Sequence, residues 1–131
     1  MKPKLQILVV EADNKNLASA QNGLTHANVG DVRYATNSDD AVDIINSNLI
    51  DVVIVNENIS DRDGFNDGNR ARWVKLAADL NGKIYLVVSQ NHEGTIIRSC
   101  GITRKMEYSL REPEAWKNLY FMLLKKYFMG K

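Results

Sequence analysis

Apolar runs and polar breaks alternate regularly along this chain. Runs rich in β-branched residues are typical of strands buried on both faces, and they occur at residues 5–10 ("LQILVV"), 32–36 ("VRYAT"), 51–55 ("DVVIV") and 83–89 ("KIYLVVS"). A weaker and more polar run at residues 105–110 ("KMEYSL") predicts a fifth strand. Each run ends in polar or glycine-bearing residues that mark a turn or the start of a helix.

The segments between these runs have helical spacing. Asp13 or Asn14 can cap a first helix, and Ser38 can cap a second helix over residues 39–48. Residues 70–80 predict a third helix with its large apolar side chains on one face, and residues 92–100 a short fourth one. Residues 111–129 predict a long C-terminal helix, with Pro113 in its first turn. The apolar positions on the third helix are Trp73, Leu76, Ala77 and Leu80.

Strands that alternate with helices pair in parallel through right-handed crossovers. The pattern therefore predicts an α/β fold, a doubly wound five-stranded parallel sheet with helices on both faces. We see no linker or internal boundary, so residues 1–131 are expected to form a single domain. In such a sheet the functional residues lie just after the carboxyl ends of the strands.

Composition narrows the possible functions. Of 131 residues, 17 are basic and 16 acidic, so the net charge of +1 indicates no nucleic-acid partner. The only cysteine, Cys100, excludes an internal disulfide. The first apolar run is too short for a signal peptide or a membrane span. We therefore expect a cytoplasmic protein that does not enter a membrane.

Two segments carry a family resemblance. Residues 7–13 ("ILVVEAD") and 32–64 ("VRYATNSDDAVDIINSNLIDVVIVNENISDRDG") resemble the first strand, acidic turn and phosphorylation loop of response-regulator receiver domains. Gly64 falls at the position of the family's loop glycine, and Ser89 where the family has Ser or Thr. The resemblance covers nearly the whole chain and implies the (βα)5 flavodoxin-like, or CheY-like, form of the fold.

The resemblance also implies a phosphorylation site, and this chain departs from it. The family's aspartate nucleophile is replaced by Asn56, and the acidic residue that ligates Mg²⁺ is replaced by Ala12. Glu11, the carbonyl of Asn58 and Ser89 are kept. The family's lysine position falls on Tyr108 when counted from Gly101, or on Arg111 when counted from Ser89.

These departures predict a pseudo-receiver, a receiver-type fold that signals through protein contacts without phosphoryl transfer. We expect no catalytic residue, no cofactor and no metal, with Glu11, Asn56 and Asn58 as the weak candidate ligands. Hard Mg²⁺ favours charged oxygen ligands, and two carboxylates are missing from the pocket. Their loss also removes repulsion between like charges.

Receivers commonly meet partners through the face made by their fourth helix, fifth strand and fifth helix. The resemblance therefore implies a signalling protein or a second copy, forming a homodimer, as the partner of this face. Helical spacing on the C-terminal helix predicts an arc that faces the sheet, formed by Trp116, Leu119, Tyr120, Leu123, Leu124 and Tyr127. Phe121 and Phe128 lie one heptad apart at the edge of this arc, largely outside it. They are either an exposed contact patch or packed against a neighbouring element. Tyr108 is a further candidate contact, at the family's aromatic switch position if Arg111 matches the lysine.

Two alternatives use other acidic residues. Glu11, Asp61 and Asp63 resemble the carboxylate set of Toprim domains, which hold Mg²⁺ for phosphodiester chemistry, although the pair Asp61 and Asp63 lies several residues beyond the strand end. A receiver that is atypical but still phosphorylatable would use Glu57 or Asp61. Glu57 follows Asn56 in strand register and should point to the opposite side.

Overall fold

The structure is a computed structural model that describes residues 6–26, 31–47, 49–91, 94–99, 102–106, 111–123 and 125. Strands and helices alternate over the first two thirds of the chain, and two further strands precede the last helix. The elements are β1 (Ile7–Val10), α1 (Asn14–His26), β2 (Val32–Ala35), α2 (Ser38–Ser47), β3 (Val52–Asn56), α3 (Arg70–Leu80), β4 (Ile84–Asn91), β5 (Gly94–Ser99), β6 (Ile102–Met106) and α4 (Pro113–Leu123).

The described strands form one sheet in the order β2-β1-β3-β4-β5-β6. The first four pair in parallel, and Val10 lies opposite both Ala35 and Val55. A parallel 2-1-3-4 order is compatible with flavodoxin-like sheets, whose order changes direction beside β1. The prediction of a doubly wound α/β fold is confirmed for this parallel part.

The predicted fourth helix is wrong, because residues 94–99 form strand β5. β5 pairs antiparallel with β4, and β6, where a parallel fifth strand was expected, pairs antiparallel with β5. Asn91 lies opposite Gly94 and Ser99 opposite Ile102, so only two residues join each pair of strands. A parallel crossover needs a dozen or more residues, whereas a hairpin needs two. The run "TIIRS" is also rich in β-branched residues, which favour strands.

Alternate strand residues supply two cores, one on each face of the sheet. Ile7 and Val9 pack with α1 and α4, and Leu8 and Val10 pack with α2 and α3. On the first face, Trp116, Leu119 and Tyr120 of α4 are buried, as their helical spacing predicted. The remaining predicted core positions on this helix, from Leu123 onward, lie outside the described side chains.

The face of α3 that packs on the sheet is not the one that carries its large apolar side chains. Its small residues Ala71, Val74, Ala77 and Ala78 are the buried ones. Trp73, Leu76 and Leu80 are 55%, 52% and 78% exposed. The Tyr85 hydroxyl of β4 donates a hydrogen bond to the Ala71 carbonyl at 2.9 Å, which fixes the rotation of the helix over the sheet. Small side chains let α3 lie close to the sheet, and its large ones are left on the outside.

Helices α1 and α4 approach each other closely at Gly23. A Cβ atom at this position would clash with the Pro113 carbonyl oxygen and lie 2.8 Å from the Trp116 Cβ. The glycine is therefore required by the packing of α4 on α1. None of the described helices is long and apolar enough to cross a membrane.

Candidate functional site

The candidate site lies at the carboxyl ends of β1 and β3. These strands pair with Val10 opposite Val55, so Glu11 and Asn56 follow side by side. The Glu11 amide continues the ladder by donating to the Ala35 carbonyl at 2.9 Å. The side chains of Glu11 and Asn56 are both buried, with only 3% and 9% of each residue exposed. The fold thus brings together the two positions that the sequence singled out.

Glu11 is held by hydrogen bonds on both carboxylate oxygens. Its Oε1 accepts from the Asn16 Nδ2 at 2.8 Å and from the Asn56 Nδ2 at 3.0 Å. Its Oε2 accepts from the backbone amide of Ala12 at 3.0 Å. Buried carboxylates need such donors to replace the water that they lose. Two neutral amide side chains therefore stabilise this negative charge.

Asn56 uses both ends of its amide group. While its Nδ2 donates to Glu11, its Oδ1 accepts from the Asn58 backbone amide at 3.0 Å. The Asn58 carbonyl, a metal ligand in receivers, accepts from the Asn66 Nδ2 at 3.3 Å. An ionised aspartate has no hydrogen to donate, so it could not make the bond from position 56 to Glu11. The amide is matched to its neighbours.

The residues after Glu11 serve the start of α1. Ala12 is exposed and supplies no side-chain ligand. The Asp13 Oδ1 accepts from the amides of Lys15 and Asn16 at 2.9 and 3.0 Å, so Asp13 is the N-cap of this helix. The hydrogen bond from the Asn16 amide, more than any other interaction, lowers the pKa of Asp13 below its ordinary value. The carboxylate that directly follows Ala12 is thus engaged as the cap of α1.

Arg111 is the only one of the two candidates for the lysine position that the structure describes. Its guanidinium Nη2 lies 3.8 Å from the Asp13 Oδ2, and its carbonyl accepts a hydrogen bond from the Ser19 hydroxyl. It lines the same depression, of about 430 Å³, as Glu11, Asn56 and Asn58. Tyr108 lies outside the described residues.

Ser89 lies on β4, one residue beyond Val88, which is opposite Asn56. It is 8% exposed, and its hydroxyl has no hydrogen-bond partner among the described residues. It is the residue that the sequence resemblance assigns to the Ser or Thr position of receivers, and that assignment stays a prediction.

The acidic residues of the loop after β3 have other roles. The Asp61 Oδ1 accepts from the amides of Asp63 and Phe65 at 3.0 and 2.8 Å, which organises the turn in which Gly64 has a φ of 87°. Glu57 is exposed. The described residues, which include Glu11, Asp61 and Asp63, contain no group of three acidic, histidine or cysteine side chains that could hold a metal. The fold therefore does not assemble the Toprim-like set.

The candidate interaction residues are only partly described. Phe121 is 47% exposed, and its ring centroid lies 5.6 Å from that of Tyr120. Phe128 lies outside the described residues. The expected partner face needed a helix before its strand, but β5 occupies that segment. A strand therefore stands where the resemblance implies one helix of that face, and the partner itself stays a prediction.

Asn16 and Asn66 are the members of the hydrogen-bond network that the sequence did not predict. Asn16 lies on the first turn of α1, five residues after Glu11, and is 5% exposed. A polar side chain on the inner side of a first helical turn could have marked it. Asn66 belongs to an irregular loop, and no periodicity could have placed it.

Neither a protein-family model, nor a curated protein, nor a solved structure matches this chain.

Proposed function

We propose that this protein is a phosphorylation-independent signalling and protein-interaction module of the receiver type, a pseudo-receiver that acts in the cytoplasm. The observation that carries the proposal is the 3.0 Å hydrogen bond from the Asn56 amide to the Glu11 carboxylate. Around it, the parallel 2-1-3-4 strand order and the packing of α4 against α1 agree with a receiver-like arrangement.

The chemistry of the site argues against phosphoryl transfer. An acyl phosphate forms on a carboxylate, and a neutral amide is not such a nucleophile. Mg²⁺ requires oxygen ligands in near-octahedral geometry. At this site Asn56 presents an N–H to Glu11, and the Asn58 carbonyl is already hydrogen-bonded. Internal hydrogen bonds thus occupy the groups that would otherwise hold the metal.

The antiparallel β5 and β6 bear on how the module acts. They stand in place of the fourth helix and the parallel fifth strand of receivers, so a partner that recognises that face of ordinary receivers would not find it here. Phe121, together with Phe128 and Tyr108, remains the contact set proposed from the sequence. Partner binding independent of phosphorylation is consistent with a site that has an amide at the nucleophile position.

The test is a Mg²⁺ titration followed by the backbone amide shifts of Glu11, Ala12 and Asn56. The wild-type chain should show no saturable, localised shift below millimolar Mg²⁺. The double variant Ala12→Asp with Asn56→Asp restores two carboxylates and should bind the ion more tightly at the same place. Localised sub-millimolar binding by the wild type would overturn the proposal.

A further inference from the structure

The outer faces of α2 and α3 form a groove of about 590 Å³. One wall carries Trp73, Leu76 and Leu80 of α3, and the other carries Asp39 and Asp43 of α2. The three apolar side chains are more than half exposed, as given above. They are spaced three and four residues apart, so they form one stripe along the helix. We refer to these five residues as the α2–α3 groove.

An exposed stripe of this kind is unusual for an isolated domain. A single exposed leucine needs no explanation, but a contiguous apolar surface with polar edges marks an interaction site. Tryptophan is also among the residues that contribute most to protein interfaces. The stripe arose because the small residues of α3 face the sheet, so no element within the described part of the chain covers it.

The two helices that form the groove carry opposite charge. α2 contains Asp39, Asp40 and Asp43 and no basic residue. α3 contains three basic residues and one acidic residue, Asp79. Arg62 offsets part of the α2 charge through exposed ion pairs with Asp40 and Asp43 at 2.8 and 3.1 Å. The basic residues of α3 are Arg70, Arg72 and Lys75, of which Arg70 lines the groove. Arg70 pairs with Asp67 at 3.3 Å and Lys75 with Asp79 at 2.7 Å, which offsets part of the α3 charge in the same way.

We propose that the α2–α3 groove binds a second copy of this chain, forming a two-fold symmetric dimer. A two-fold axis parallel to the helices places α2 of each copy on α3 of the other, so acidic and basic helices meet twice. A two-fold axis across the helices would instead place α2 on α2 and α3 on α3, with like charges opposed. Complementary charge therefore selects one arrangement of a self-complementary surface.

Both complementary charges belong to the same molecule, since each copy presents the acidic α2 and the basic α3 side by side. This is why a second copy is favoured over an unrelated basic or acidic helix. The inference rests on the proposed function as a protein-interaction module and names its partner. It does not use Phe121, which lies on α4 on the opposite face of the sheet.

The first experiment is sedimentation velocity over a wide range of protein concentration. The wild type should show reversible monomer–dimer exchange. Leu76→Ser with Leu80→Ser should weaken the dimer by roughly 100-fold or more, because two apolar side chains per copy lose their buried contacts. Phe121→Ser is the control, an equally polar change on another exposed side chain, and should leave the dimer unchanged. Far-ultraviolet circular dichroism checks that each variant is folded.

The second experiment exchanges the charges. Asp39→Lys with Asp43→Lys makes both helices of one variant basic, and Arg72→Glu with Lys75→Glu makes both helices of the other acidic. Each variant alone should be monomeric, since like charges meet at both α2–α3 contacts. An equimolar mixture should dimerise, because both contacts are then complementary. Lys15→Glu with Arg33→Glu is the control of equal charge change, on exposed residues elsewhere.

The outcomes separate this inference from the proposed function. A wild type that stays monomeric, or a dimer lost in Phe121→Ser but kept in the leucine variant, overturns the self-association through this groove. Charge variants that fail to restore each other when mixed contradict the two-fold arrangement. If the dimer forms as described but the same sample takes a phosphoryl group from a small donor, the proposed function fails and the dimer stands.

Discussion

Replacing Asn56 by aspartate tests the hydrogen-bond network at its centre. The variant Asn56→Asp keeps the side-chain size but exchanges the donor that faces the Glu11 Oε1, 3.0 Å away, for a second carboxylate. Both positions are buried, so water screens the new repulsion poorly. The introduced carboxyl should respond by taking up a proton, and its pKa should rise above the ordinary aspartate value of about 3.9.

The size of the effect follows from this proton uptake. Two ionised carboxylates 3 Å apart repel each other by about 5 kcal/mol at an effective dielectric constant of about 20. Protonating an aspartate at pH 7 costs about 4 kcal/mol, since each pKa unit corresponds to about 1.4 kcal/mol. The protonated form can donate to Glu11 again. We therefore expect the variant to lose up to about 4 kcal/mol of unfolding free energy at pH 7, and only about 1.5 kcal/mol at pH 5.

The sign of this dependence follows from the raised pKa. A carboxyl whose pKa is higher in the folded than in the unfolded state contributes its full stability below the unfolded pKa. That contribution is lost as the pH rises towards the folded pKa. Stability of the variant relative to the wild type should thus fall from pH 5 to pH 7. An aspartate in an ordinary ion pair has a lowered pKa, so its contribution would change little between pH 5 and pH 7 and would be lost only below about pH 5.

Urea denaturation at pH 5 and pH 7, at low protein concentration, measures the effect. Asn56→Ala removes the amide without adding charge and should cost about 1–3 kcal/mol with little change between the two pH values. Asn69→Asp, on an exposed residue whose side chain makes no cap hydrogen bond, should change stability by less than about 0.5 kcal/mol. If Asn56→Asp is as stable as the wild type at pH 7, the network does not hold the site as described.

Three further changes test the fold. Gly23→Ala should destabilise the protein by about 1–3 kcal/mol in urea denaturation, because the added Cβ would clash where Trp116 packs. The same change in an open helix stabilises a protein. A variant that loses no stability would contradict the close packing of α1 and α4. Tyr85→Phe should cost about 1 kcal/mol, because it removes the hydrogen bond to Ala71. Burial raises the pKa of Tyr85, so the wild type loses stability as the pH rises above 10 towards this raised pKa, and the variant should lose less. Equal alkaline sensitivity of variant and wild type would refute this. Asp13→Ala should cost about 1 kcal/mol, because it removes the helix cap. The pKa of Asp13 is lowered in the folded protein, so the stability that Asp13 contributes is lost as the pH falls below 4, and the variant should lose less there. The same dependence of stability on acid pH in variant and wild type would count against the cap.

The sequence could predict the parallel part of the sheet because each strand there is a long apolar run between clear helix signals. It could also predict the meeting of Glu11 and Asn56, because carboxyl ends of parallel strands converge at one edge. The amide at position 56 of that edge led to the proposal of a pocket without a nucleophile, which stays a prediction. Hydrogen bonds formed by Asn16 and Asn66 required coordinates, since they depend on side-chain directions across a turn and a loop.

Two parts of the fold could not be predicted from the pattern used. The alternating pattern predicts a short helix over residues 92–100, although the β-branched residues within 94–99 favour the strand that forms. On α3 two apolar faces compete, one of large and one of small side chains. Periodicity cannot decide which face is buried. The face of small side chains packs on the sheet, because it allows the helix to approach the sheet more closely.

The most direct test of the central claim is intact-mass measurement after incubation with a small acyl-phosphate donor and Mg²⁺. The wild-type chain should keep its mass, because an amide occupies the position of the nucleophile and donates to Glu11. Gain of the mass of one phosphoryl group by the wild type, with the label mapped to an acidic residue of the loop after β3, would contradict the account.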